Sequence, residues 1–202
     1  MKQVALGLRA HSGWTALVAL TLEQGVPHVL LRERPHLVKT FTYEFRQPYH
    51  TARKGSPDEA REFISRVRAE ARSLAWRAIS SAQLNFQRQG YELKRCGLLL
   101  AGGKPLPDVP HILASHALIH TADGELFREA LLHACERCGL EMFKALERGL
   151  VEQASQTLQQ KGDDLGRRLT HLGAAVGPPW TQDEKLAALI AWISLVHPRS
   201  AS

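Results

Sequence analysis

The chain has 202 residues, of which 44% are hydrophobic and 23% charged, a balance that excludes extensive disorder and fibrous architectures and suffices for a sizeable core. Lysine and arginine outnumber aspartate and glutamate by 26 to 20, a net charge of +6, which admits DNA or RNA as a partner and equally serves solubility. Three cysteines make no disulfide framework, no apolar run is long enough to span a bilayer, and Met1-Lys2 leads into an alternating segment without a signal-peptide pattern. A cytoplasmic protein without membrane association is therefore expected.

The chain opens with three strand patterns, Gln3 to Arg9, Thr15 to Leu22 and Val26 to Arg32, separated by the turn candidates Ala10-His11-Ser12-Gly13 and Glu23-Gln24-Gly25. Consecutive strands on short turns form an antiparallel meander. Residues 33–55 interleave Phe41, Tyr43, Phe45 and Tyr49 with basic side chains and suggest an extended strand end or a surface loop. Ser56-Pro57-Asp58-Glu59 is a helix start with a capping box, and apolar residues from Ala60 to Phe86 keep helical spacing up to a stop at Gly90. Cys96 to Ala101 then predicts a buried strand ending at Gly102-Gly103.

The segment His111–His120 has no clear pattern, and a helix is predicted from about Asp123 to Cys138, stopped by Gly139. Leu140 to Leu146 follows as a strand, then a helical region to about Leu172 with a break near Gly162. Thr181 and Glu184 form a second capping box ahead of a last helix that ends at His197-Pro198. One domain over 1–202 is expected, with 147–202 as a C-terminal helical part packed on it.

The order of three strands, helix, strand, helix, strand and helices resembles the ribonuclease H-like fold, an α/β mixed sheet whose antiparallel meander precedes alternating helices and strands. The start Gly7-Leu8-Arg9-Ala10-His11-Ser12-Gly13 is similar to the first hairpin of RuvC-type Holliday-junction resolvases, where a Gly-Ile-Asp-Pro-Gly-Ser pattern occurs. The stretch Pro178 to Ala191, with Asp183 and Glu184 ahead of an alanine-rich run, looks like that family's last helix. The middle domain of archaeal and eukaryotic release factors shares the early topology, but its Gly-Gly-Gln loop has no counterpart in Arg53-Lys54-Gly55-Ser56.

The resemblance to resolvases implies phosphodiester cleavage by Mg or Mn ions held on several carboxylates. In this chain Arg9 stands where that family's first-strand aspartate falls, and an arginine cannot ligate magnesium. Asp183, Glu184 and Asp123 remain as weak catalytic candidates for a divergent metal-dependent phosphodiesterase or nuclease, although acids at 183 and 184 equally serve a helix N-terminus. Arg9, His11, Gly102, Gly103 and Lys104 are candidate anion-binding residues, while the Gly-Gly-Lys run fails the Walker spacing. Arg46, Tyr49, Arg53 and Lys54 are the nucleic-acid candidates, cations for phosphates and an aromatic for a base.

Cys135 and Cys138 supply only half a zinc site and fit helix packing, and His116 and His120, four apart, could share a metal on a helix but are assigned no acidic partner. No metal and no cofactor are therefore assigned, Mg or Mn excepted under the nuclease reading. The expected function is a non-catalytic binding or structural module, with DNA or RNA as candidate partner. A protein-interaction domain, with another protein or a second copy as partner, remains the other reading.

Overall fold

The computed structural model describes residues 1–197. Its first three strands are β1 (Lys2–His11), β2 (Trp14–Glu23) and β3 (Val26–Glu33), paired antiparallel as a meander. The short helices α1 (Tyr43–Arg46) and α2 (Pro48–Ala52) lead into the long α3 (Pro57–Arg88), followed by β4 (Tyr91–Leu100), α4 (Val109–Ala114) and α5 (His116–Arg137). β5 (Glu141–Leu146) precedes α6 (Leu150–Leu158), α7 (Gly162–Val176) and α8 (Gln182–Val196). The sheet order is β3-β2-β1-β4-β5, with β4 parallel to β1 and β5 parallel to β4.

Strand alternation divides the core. Leu6 and Leu8 of β1 and Leu98 of β4 face α3 and α5. Val18 and Leu20 of β2 and Leu99 of β4 face α6, α7 and α8. Helix α8 lies unusually close to the sheet because two strand positions have no side chain. A Cβ on Gly7 would fall 1.8 Å from the Ala187 carbonyl oxygen, and one on Gly97 would fall 2.8 Å from that of Ile190. With the sheet beneath it and α6 and α7 packed against it, α8 is buried continuously from Leu186 to Ser194. That seat fixes where the acidic first turn of α8 points.

Both predicted capping boxes form, at Ser56 with Glu59 and at Thr181 with Glu184. Residues 33–55 differ from the expected strand end or loop. They hold the short helices α1 and α2, and Leu37, Val38 and Tyr49 are carried into the core. β4 begins at Tyr91, earlier than expected. α5 begins at His116 rather than near Asp123, because Asp123 is a buried mid-helix residue and the N-cap is Ser115. The last helix ends at Val196 with His197 as C-cap, and Pro198 lies outside the described residues. Among the described residues no helix is long and apolar enough to cross a membrane.

Candidate functional site

Parallel strands deliver side chains to the crevice beyond their carboxyl ends. There Arg9, near the end of β1, meets Glu147, directly after β5, and Asp183, in the first turn of α8. The Arg9 guanidinium forks onto Glu147, with Nε donating to Oε2 at 3.0 Å and Nη2 to Oε1 at 2.7 Å. Its Nη1 donates to Asp183 Oδ1. His11 Nε2 completes the group at 2.7 Å from Arg9 Nη1 and 3.0 Å from Asp183 Oδ1. The Glu147 backbone N–H donates to the Leu100 carbonyl at 3.0 Å, which ties this acid to the end of β4.

A second guanidinium extends the cluster. Arg34, just past β3, donates through Nε to Glu184 Oε1 at 2.5 Å and through Nη2 to Thr181 Oγ1 at 3.1 Å. It also lies 4.9 Å from the centre of the Trp14 ring, whose other neighbour is a stacked His11 ring at 4.3 Å. Glu184 is completely buried, yet its pKa falls to about 2. Burial opposes ionisation there, and is outweighed by hydrogen bonds from Arg34, the Thr181 hydroxyl and the Thr181 N–H. Arg9 is held further toward its charged form by Glu147 against the cost of burial. Burial lowers the pKa of His11, and the nearby Arg9 adds to this against the pull of Asp183.

The carboxylates of this crevice do not fit a magnesium ion. Magnesium needs six oxygen ligands in near-ideal octahedral geometry. Both oxygens of Glu147 and of Glu184 already accept hydrogen bonds, and Asp183 Oδ1 accepts from Arg9. The fixed positive charge of Arg9 sits between Glu147 and Asp183, so a divalent cation placed there would be repelled. What the arrangement does chemically is neutralise acids gathered by the fold. Arg34, Glu147 and Trp14 were missing from the sequence-level candidates. Their only signal is position, immediately after β3 for Arg34 and after β5 for Glu147.

The remaining candidates are distributed differently. No hydrogen bond or ion pair links Gly102, Gly103 or Lys104 to Arg9, His11 or Asp183 among the described residues. Gly102, Gly103 and Lys104 line a separate cavity of about 590 Å³ together with Arg68, Arg72 and Glu129 from α3 and α5. Gly103, with a φ of +127°, takes a backbone conformation that favours glycine. Asp123 does not join Asp183 and Glu184 either, because α5 and α8 pack on opposite faces of the sheet. Its carboxylate accepts from the Tyr49 N–H at 2.7 Å and meets His50 Nδ1 at 2.5 Å, and burial raises its pKa against those two contacts.

Among the nucleic-acid candidates, Arg53 and Lys54 are exposed beyond α2. Tyr49 corrects the expected base-stacking role: its ring is buried at 3% exposure and its hydroxyl accepts from Arg68, so no base can reach its face. Arg46 is half-buried, donating from Nε to the Ser12 carbonyl at 3.1 Å while its guanidinium lies over Phe41. Cys135 packs in the core with its sulfur 3.4 Å from that of Cys96, and Cys138 is half-buried at the end of α5. His116 and His120 are joined by His50 from α2, which their spacing in sequence could not disclose.

A mixed five-stranded sheet of this order, with helices on both faces, is a ribonuclease H-like fold. Two solved structures of RuvC from Thermus thermophilus share this layout. One, in complex with a Holliday junction substrate, matches with a TM-score of 0.52 and 15% identity over 94% of this chain and 91% of that one. The other matches with a TM-score of 0.50 and 14% identity over 94% and 92%. At such identities the likeness concerns the fold. No family model and no curated protein matches the chain.

Proposed function

We propose that this chain is a ribonuclease H-like module without metal-nuclease chemistry, which binds nucleic acid through exposed cations beside α2 and α3. The observation that carries the first half is the Arg9 guanidinium bridging Glu147 and Asp183. In a carboxylate-metal nuclease, such acids share their lone pairs with ions that activate water and stabilise the leaving oxygen. Here a guanidinium stands between those acids and supplies charge without Lewis acidity or an exchangeable water.

The nucleic-acid half is supported by the net charge of +6 and by a fold shared with a protein solved in complex with a Holliday junction substrate. Arg53 and Arg61 line a groove of about 340 Å³ with Gly55, Pro57 and residues of α4. Lys54 is exposed next to it, and Lys104 rims the larger cavity. Cations placed this way engage phosphates and release counterions, so binding should fall steeply with salt.

The test is fluorescence anisotropy of the full chain on a labelled four-way junction, a duplex and a single strand. Binding at 50 mM salt that weakens at 200 mM, and weakens again when Arg53 and Lys54 become glutamate, is expected. An absence of binding to all three probes at 50 mM salt would overturn the nucleic-acid half and leave a protein partner or a structural role.

A further inference from the structure

We propose that His50, His116 and His120 form a divalent metal site of the zinc class, held by three imidazoles with a fourth position open to solvent. The site is separate from the strand-end cluster, being built by α2 and the first two turns of α5. The ligand nitrogens of the three histidines lie within 4.8 Å of one another. The Nε2 atoms of His116 and His120 are 3.1 Å apart, close to the separation of about 3.3 Å for two nitrogens bonded at about 2.0–2.1 Å to a tetrahedral ion. Spacing of four along a helix puts two imidazoles on one face, as in helical zinc sites.

The third ligand shows that the group is oriented. His50 Nδ1 lies 2.5 Å from Asp123 Oδ2, so the carboxylate holds that nitrogen as the N–H donor and leaves Nε2 with the free lone pair. Asp123 is fixed in turn, its other oxygen accepting from the Tyr49 N–H at 2.7 Å. A buried carboxylate behind a metal-binding histidine sets tautomer and ring angle and strengthens the ligand. The His50 ring meets His120 edge-on at 4.4 Å and His116 at 5.5 Å. A small rotation of the exposed His116 and His120 side chains would close the set around one ion.

The chemistry favours zinc or a similar first-row metal over magnesium, since imidazole is a borderline ligand and magnesium prefers oxygen. Three neutral imidazoles and one carboxylate leave such a site with one net positive charge. Asp123 thereby offsets the unfavourable field of a cation at the N-terminus of α5. Exposure of His116 and His120 leaves room for water as the fourth ligand, the open arrangement of zinc sites that bind or activate small molecules. The bound ion would also clip α2 to α5.

The experiment uses the full chain, stripped of metal by a chelator and titrated with Zn²⁺ against a chromogenic indicator and with Co²⁺ by visible absorption. One equivalent of either ion is expected, with a cobalt spectrum of tetrahedral or five-coordinate type that lacks thiolate charge transfer. His116→Gln and His120→Gln alter exposed side chains and should fold, as circular dichroism will verify. Each should weaken zinc by more than about 100-fold, beyond the roughly 10–100-fold expected for Asp123→Asn as a positioning residue. Cys138→Ser should change nothing. If the Asp123 variant fails to fold, the two glutamine variants decide the matter. Absence of zinc binding at micromolar concentration, unchanged affinity in both glutamine variants, or a thiolate band would overturn the site.

Discussion

Replacing Arg9 by methionine keeps most of the aliphatic stem and removes the guanidinium, so it isolates the charge that joins β1, β5 and α8. Breaking a fully buried ion pair costs about 3–5 kcal/mol, and breaking an exposed one about 1 kcal/mol or less. The side chains of Arg9 and Asp183 are each 20% exposed and that of Glu147 is 41% exposed, so the cluster lies between these limits. A loss of about 2 kcal/mol follows, or a fall in Tm of roughly 4–8 °C for a chain of this size. Urea denaturation followed by circular dichroism measures it. About half of the loss arises because two acids are left without their cation, so adding Glu147→Gln and Asp183→Asn to Arg9→Met should restore about half of it. A loss under about 0.5 kcal/mol, or acid substitutions that add to the loss rather than offset it, would refute this reasoning.

The other predictions concern the support of the cluster, its pH dependence and the binding surface. Glu184 has its pKa lowered to about 2 in the folded state, so its stabilisation is fully present above about pH 4.5 and is lost as pH falls toward 2. Allowing for the partial exposure of Arg34, this amounts to roughly 2–3 kcal/mol, and Glu184→Gln should flatten the acid limb of a stability profile measured by urea melts. Gly7→Ala should cost about 3 kcal/mol, because the new Cβ would meet the Ala187 carbonyl and push α8 off the sheet. Gly166→Ala, in α7 with open space around it, should instead stabilise by about 0.5–1 kcal/mol in the same assay. If Arg53 and Lys54 each neutralise a phosphate of duplex DNA, replacing both by alanine should reduce the slope of log affinity against log salt by about 1.8.

Locally encoded features were legible in the sequence. Ser56 and Thr181 announce their helices because a capping box needs only residues three apart, and the turns at Gly13 and Gly25 sit where the strand patterns break. The start of α5 was obscured because Ser115 caps it without a side-chain hydrogen bond, while Asp123 mimics a helix-opening acid from a buried position. Residues 33–55 read as an extended strand end or a surface loop because aromatic and basic side chains interleave there. In the structure Tyr43 is 58% exposed and Tyr49 is buried, an outcome set by the turn from α1 into α2.

At the strand ends, Arg9 and Asp183 could be placed from the resemblance to resolvases, but not their pairing. The hydrogen bonds that explain Arg9 join residues 138 and 174 positions apart, and Arg34 reaches Glu184 across 150. No periodicity reports such partners. The same holds for His50, whose link to Asp123 spans 73 positions.

Cleavage of a labelled four-way junction by the full chain in magnesium or manganese, beside the Asp183→Asn variant, tests most directly whether Arg9 has replaced metal chemistry at the strand ends. With Arg9 occupying Glu147 and Asp183, neither protein should cleave in either metal, and magnesium should leave the Tm of both unchanged. Metal-dependent cleavage by the unaltered chain, abolished by Asp183→Asn, would contradict that claim.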